Sequence, residues 1–198
     1  MSKQKFEKIY SNFPTEQKNA LLETIKNAET IVPHSKRSIA WAMPTLLIGK
    51  DYLCHVQGFK NHNSFFPSSG NITKLFESEL DKFKVSNGTI QFDKHVPFPK
   101  VLLKKILLAR IDEINNTYPK KSGEFIEYYK NGGIKSKGLY KDSKMGGHWE
   151  FYRLDGSLMR TGTLLKGKQY GEWATYDKLG KLIKKTFFKQ IILFYSLI

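Results

Sequence analysis

Apolar and polar positions change their period several times along the chain, and the changes divide it into two halves of different character. Phe6, Ile9, Tyr10 and Phe13 are spaced for one helical face, and Leu21, Leu22, Ile25 and Ala28 for a second. Pro14 suits the first turn of the second helix. From Ser38 to Lys60 β-branched and aromatic residues dominate, which predicts strand, and Gly49-Lys50-Asp51 predicts a hairpin turn. "NHNSFFPSSG" reads as a short strand ending in a loop. A helix capped by Asn71 is expected next, with Leu75, Phe76 and Leu80 on its buried side. Asn87-Gly88 is a turn signal before a strand at residues 89–92. Pro99 opens a final helix that turns Leu103, Ile106, Leu107, Arg110 and Ile114 inward. This order predicts an α+β fold, an N-terminal antiparallel sheet with helices on one face.

After residue 119 the pattern repeats itself. Gly123, Gly147 and Gly171 stand 24 residues apart, as do Phe125, Trp149 and Trp173, and Tyr128, Tyr152 and Tyr176. Gly132, Gly156 and Gly180 keep the step, as do Ile134, Leu158 and Leu182, and Tyr140, Leu164 and Phe188. Each unit is an aromatic run, a turn and a second alternating run, which predicts a β-hairpin. Alternation puts Trp149 and Phe151 on one face and Glu150 and Tyr152 on the other. Asn131-Gly132 and Asp155-Gly156 read as type I′ pairs. One hairpin is marginal alone, so three are expected to stack into an all-β meander of repeated β-hairpins. Trp149 and Trp173 read as hairpin core. The apolar segment 187–198, "FFKQIILFYSLI", reads as a closing strand that caps the array, with a dimer contact or a membrane-surface anchor as alternatives.

The chain of 198 residues carries a net charge of +15, and both halves are basic. The cations are 29 lysines and only 4 arginines. Nucleic-acid surfaces favour the planar arginine fork, so no specific nucleic-acid partner is expected. One cysteine, Cys54, excludes an internal disulfide, and the charged opening "MSKQKFEKIY" lacks the apolar core of a signal peptide. No run reaches the ~20 apolar residues of a membrane helix. A cytoplasmic location is the expectation.

Chemistry is sparse. Lys60 and His62 stand at a strand end beside Phe65 and Phe66. Trp41, Met43, Lys60, His62 and Phe66 form the candidate ligand-contacting set; the plainer alternative is a loop-bonded histidine and a rim lysine. The five histidines are scattered, Cys54 has no CxxC partner, and Glu77, Glu79 and Asp81 read as a solvated helix face, so no metal site is expected. No GxSxG and no Gly-rich phosphate loop occurs, and a non-catalytic role is expected. Lys135, Lys137 and Lys141 alternate along one strand, and Lys185 and Lys189 repeat the arrangement, which predicts a basic stripe on one face of the ribbon. That stripe is the candidate contact for a protein partner or, more weakly, for anionic lipid.

Two resemblances extend this reading. "GEFIEYYKNGG", "GHWEFYRLDGS" and "GEWATYDKLGK" resemble the second variant of the MORN-type repeat found in YwqK-like proteins, over residues 123–189. Leu179 departs from the Asn/Asp of the turn, and Thr186 from the glycine at Gly138 and Gly162. The resemblance implies a protein- or membrane-contacting surface without catalytic residues. Residues 3–115 resemble the YdhG-like family, often labelled frataxin-like iron chaperones. The carrying residues are Met43-Pro44-Thr45, Phe59-Lys60-Asn61-His62, Phe66-Pro67, residues 87–92 and Pro97-Phe98-Pro99. Asn63-Ser64 and Trp41 depart from that pattern. This second resemblance implies intracellular iron carriage, with iron as cargo. The expected organisation is a YdhG-like domain at 1–118, joined through "NNTYPKKSG" to MORN-like hairpins at 119–198.

Overall fold

The computed structural model describes residues 3–189. Two helices open the first half, α1 (Lys3–Ile9) and α2 (Thr15–Ile31). Pro14 stands just before α2, where its missing N–H costs nothing, and its carbonyl accepts from Lys18 N at 2.9 Å. Leu21, Ile25 and Ala28 are buried, as the spacing predicts. Thr24 is buried with them; its hydroxyl donates to the Ala20 carbonyl and accepts from Phe98 N. Strands β1 (Lys36–Ala40), β2 (Met43–Ile48), β3 (Asp51–Gly58), β4 (Asn63–Phe66), β5 (Lys84–Ser86) and β6 (Thr89–Phe92) form an antiparallel sheet in the order β1-β2-β3-β4-β6-β5. Helices α3 (Gly70–Leu75) and α4 (Lys100–Thr117) complete this half. The core is Phe6, Tyr10, Leu21, Ile25, Leu53, Val56, Phe65 and Phe98 with Leu103, Ile106, Leu107 and Ile111 of α4.

Several local expectations change. The segment read as strand with one turn holds three strands, because the chain also reverses at Trp41-Ala42, with φ of 49° and 60°. Neither residue is a turn former, so the sequence carries no mark of that hairpin. Ser69, not Asn71, caps α3, its hydroxyl accepting from Asn71 N at 3.2 Å. Leu75 is 67% exposed, since α3 ends there and a 3-10 turn at Glu77–Glu79 rotates the face that helical spacing would have buried. β5 is only three residues long, too short for the sequence pattern to mark, and pairs with β6 across the Asn87-Gly88 turn. Arg110 is only half-buried.

The described residues divide into two compact units, residues 3–115 with 128–133, and residues 116–127 with 134–189. Tyr128 therefore counts with the first unit. Its hydroxyl donates to Asp51 Oδ2 at 2.9 Å, and its backbone exchanges hydrogen bonds with the Asn115 side chain. The first three residues of the expected linker, Asn115, Asn116 and Thr117, are the last turn of α4.

The second half is a meander of six strands in sequence order: β7 (Gly123–Tyr128), β8 (Ile134–Lys141), β9 (Lys144–Tyr152), β10 (Leu158–Leu165), β11 (Lys168–Tyr176) and β12 (Leu182–Phe188). Within the turn of each repeat only the glycine has positive φ: Gly132, Gly156 and Gly180, at 81°, 86° and 82°. The turns are thus not of the I′ kind. Each is a three-residue loop in which the glycine N–H bonds back three residues, as from Gly156 N to the Arg153 carbonyl at 2.9 Å. Leu179 is tolerated before Gly180 because its position needs no positive φ; Asp177 Oδ1 accepts from Leu179 N and Lys181 N instead. The primed pattern, positive φ at both central residues, falls between repeats, at Asp142-Ser143 and Lys166-Gly167.

Aromatic rings supply the core of this sheet. Phe125, Trp149, Phe151, Trp173 and Phe188 follow one another at centroid distances of 5.7, 5.8, 6.1 and 6.4 Å. Trp149 and Trp173 are fully buried. Each indole lies over a glycine: a Cβ at Gly138 would stand 2.3 Å from Trp149, and one at Gly162 2.4 Å from Trp173. Thr186 replaces that glycine where no described strand lays a further indole on β12. Of the apolar segment 187–198, Phe187 and Phe188 belong to β12, and residues 190–198 lie outside the described residues. Among the described residues no helix is long and apolar enough to cross a membrane.

Candidate functional site

In the first unit the turn between β1 and β2 places Trp41 on the surface, 69% exposed. A bulky residue at positive φ is an outlier that the surrounding structure must hold. Its indole packs on the Tyr52 ring at 5.1 Å and edge-on against the His55 imidazole at 5.2 Å. His55 lies beneath, 4% exposed. Thr45 Oγ1 stands 2.7 Å from His55 Nδ1 and 2.9 Å from the Met43 carbonyl oxygen, which links the three residues in one hydrogen-bonded chain. Burial, and then the nearby Arg110 charge, lower the His55 pKa to about 4, so the ring is neutral at physiological pH. Arg110 donates to the Tyr52 carbonyl through Nε and Nη2 and to Glu113 Oε2 at 2.6 Å. Burial acts to raise the Glu113 pKa, but hydrogen bonds from Ser69, Arg110 and Asn71 outweigh it and hold the carboxylate below its usual value.

Three of the five expected ligand contacts therefore gather around a residue the sequence did not single out. Trp41 touches His55, Met43 is tied to it through Thr45, and Phe66 is its strand partner on β4. Lys60 and His62 lie instead in the β3–β4 turn, where the His62 ring stacks on Phe59 at 5.0 Å and its carbonyl accepts from Phe59 N. Lys60 is exposed. The pairing of β2 with β3 shifts between Leu46 and Leu47, and Tyr52 and His55 share an aromatic cluster despite standing three positions apart. Strict alternation would have separated them.

The basic stripe of the second unit is largely neutralised. Lys135 pairs with Glu127 at 2.9 Å, Lys137 with Glu150 at 2.6 Å, and Lys185 with Glu172 at 2.8 Å. Lys137 also sits over the Tyr152 ring, and its hydrogen bond to Glu150 raises its pKa. Lys141 belongs to a different group. With Lys144 and Lys166 it lines a cavity at the ends of β8, β9 and β10, and none of the three has an ion pair among the described residues. Lys144 and Lys166 also line a neighbouring cleft with Lys168, Tyr170 and Lys189.

Among the described residues no cluster of three or more His, Cys, Asp or Glu side chains is placed to hold a metal. Glu77 and Asp81 line a groove between α3 and the β5–β6 turn, with Lys74 among them, and Glu79 pairs with Lys105. Cys54 is fully buried, and burial raises its thiol pKa, which leaves it protonated and unreactive.

No family model matches the chain, and no curated protein matches it. A solved structure does: the crystal structure of a Bacillus subtilis protein of the DUF1801 family, YdhG, superimposes with a TM-score of 0.52 at 15% identity. The match covers 57% of this chain and 92% of that protein, so nearly the whole neighbour is accommodated in little more than half of this chain, and the likeness is one of fold.

Proposed function

We propose that this chain is a non-catalytic binding protein that recognises an acidic partner through the hairpin meander of its second unit. The observation that carries the reading is the division of its lysines. Lys135, Lys137 and Lys185 are held by carboxylates along the ribbon. Lys141, Lys144 and Lys166 gather without carboxylate partners beside the exposed Leu139 and Leu165. Unneutralised cations next to exposed apolar side chains are the makings of an interaction patch. The MORN-type resemblance of residues 123–189 supports a contact surface, and the buried, protonated Cys54 fits a cytoplasmic location. Titration of the full chain with a fluorescent polyglutamate peptide tests the reading. Binding is expected at low salt and to weaken as salt rises. The triple variant Lys141→Gln/Lys144→Gln/Lys166→Gln is expected to lose about tenfold in affinity. Lys135→Gln/Lys137→Gln/Lys185→Gln is expected to stay close to the parent. Equal loss in both triples would return the site to the open ribbon face.

A further inference from the structure

The cavity that these three lysines border has a volume of about 710 Å³, within the range of small-molecule sites. Its apolar lining is Leu139, Met145, Leu164 and Leu165, with the Tyr140 ring beside them and Ser122 at the edge. Leu139 and Leu165 remain 51% and 40% exposed, apolar area that a ligand would remove from water. Glycine forms part of the lining. A Cβ at Gly146 would meet nothing within 4 Å, and one at Gly147 only the Leu139 side chain at 3.8 Å. Backbone bonds fix the frame, from Gly167 N to the Met145 carbonyl at 2.8 Å and from Ser143 N to the Lys121 carbonyl at 2.7 Å. A preformed cavity loses little order when filled. The charge lies at the strand ends, on Lys141 and Lys144, which pair beside the β8–β9 turn, and on Lys166 in the β10–β11 turn, with Asp142 the one carboxylate in the lining. A ligand that fits is therefore apolar along its body and anionic at one end.

We propose that this cavity binds one unesterified long-chain fatty acid. The acyl chain lies against Leu139, Met145, Leu164 and Leu165, and the carboxylate is held by Lys141, Lys144 and Lys166. The proposal rests on the acidic-partner reading of the second unit and names the partner's chemistry. An acyl chain has no N–H or C=O along its length to satisfy, so Leu139, Met145, Leu164 and Leu165 can cover it without leaving a polar group unpaired.

Oleate titrated into the full chain by calorimetry, below its micelle concentration, is expected to saturate at one molecule per chain. Oleyl alcohol, the same chain without the charge, is expected to bind about tenfold more weakly. Gly146→Leu fills the space at a glycine whose Cβ meets nothing, and should cost about tenfold or more with the thermal transition retained. Leu165→Glu, at a partly exposed position, should do the same and serves if Gly146→Leu misfolds. Lys141→Gln/Lys144→Gln/Lys166→Gln should bring oleate down to the level of oleyl alcohol. Absence of saturable oleate binding overturns the proposal, as does unchanged oleate binding in both cavity variants or equal binding of the alcohol. Polyglutamate binding without oleate binding overturns it while leaving the acidic-partner reading intact. Self-association that Gly146→Leu abolishes would assign the cavity to a second copy of the chain, and a preference for anionic vesicles over free oleate would assign it to a membrane surface; either overturns it.

Discussion

The two sheets solve the same problem by different means. The sheet of β1 to β6 is packed with helices, and its core is built mostly from aliphatic side chains: Leu21 and Ile25 from α2, Leu103, Ile106, Leu107 and Ile111 from α4, and Leu53 and Val56 from the sheet. The sheet of β7 to β12 has no helix of its own among the described residues and relies on a row of large rings, each indole seated over a glycine of the neighbouring strand. A sheet layered with helices can spread its burial over many medium-sized residues, so losing one leaves the others in place. A single-layered meander concentrates burial in a few aromatics and in the glycines that admit them, so each becomes critical.

The sharpest test of that contrast is Trp149→Ala, expected to destabilise the protein by about 3–5 kcal/mol. Denaturant unfolding followed by circular dichroism checks it, and a loss comparable to a surface substitution would contradict the concentration of burial in the rings. Gly162→Val should cost about 3 kcal/mol, because its first carbon would stand 2.4 Å from the Trp173 ring in a region that cannot give. Gly146→Ala, with open space at its Cβ, should shift stability by only a few tenths of that, and equal effects at both sites would show that the glycines are kept for backbone conformation rather than for the indoles. A fragment of residues 1–133 should exceed one of residues 1–118 by about 2 kcal/mol in unfolding free energy, since Tyr128 is buried and bonded to Asp51 in the first unit. Equal stability would mean that segment 128–133 adds nothing to that core.

The pH dependence separates the two sheets further. His55 is neutral in the folded chain down to about pH 4, whereas the unfolded ring takes up a proton near 6.5. Between those values the unfolded state binds more protons, so stability is full above pH 6.5 and falls as pH drops toward 4. A loss of about 2–3 kcal/mol across that window is expected, and His55→Gln should flatten it. An unchanged slope in the variant would place the titrating group elsewhere. The smallest effect belongs to the ribbon's surface. Lys137→Gln should cost about 0.5 kcal/mol, since its pair with Glu150 is partly solvated, and the cost should shrink in high salt.

The sequence by itself determined whatever depends on local period and on repetition. Helical spacing placed Leu21, Ile25, Leu103, Ile106 and Leu107 on buried faces, and the 24-residue step marked the aromatic and glycine columns, because each repeat meets the same neighbour in the same register. It also marked the YdhG-like stretch, whose fold the Bacillus subtilis protein shares. Tertiary structure alone decided the rest. The reversal at Trp41-Ala42 uses residues with no turn preference, and only the packing of Trp41 on Tyr52 and His55 marks its place. Gly138 and Gly162 look like loosened strand positions in the sequence and prove to be seats for indoles eleven residues further on. Period-2 alternation identified the lysines of the ribbon but could not say which carry a neutralising carboxylate, because Glu127, Glu150 and Glu172 reach them across strand pairs or through bulged register. Pairing between strands is a non-local contact, and a local pattern constrains it only where the register stays regular.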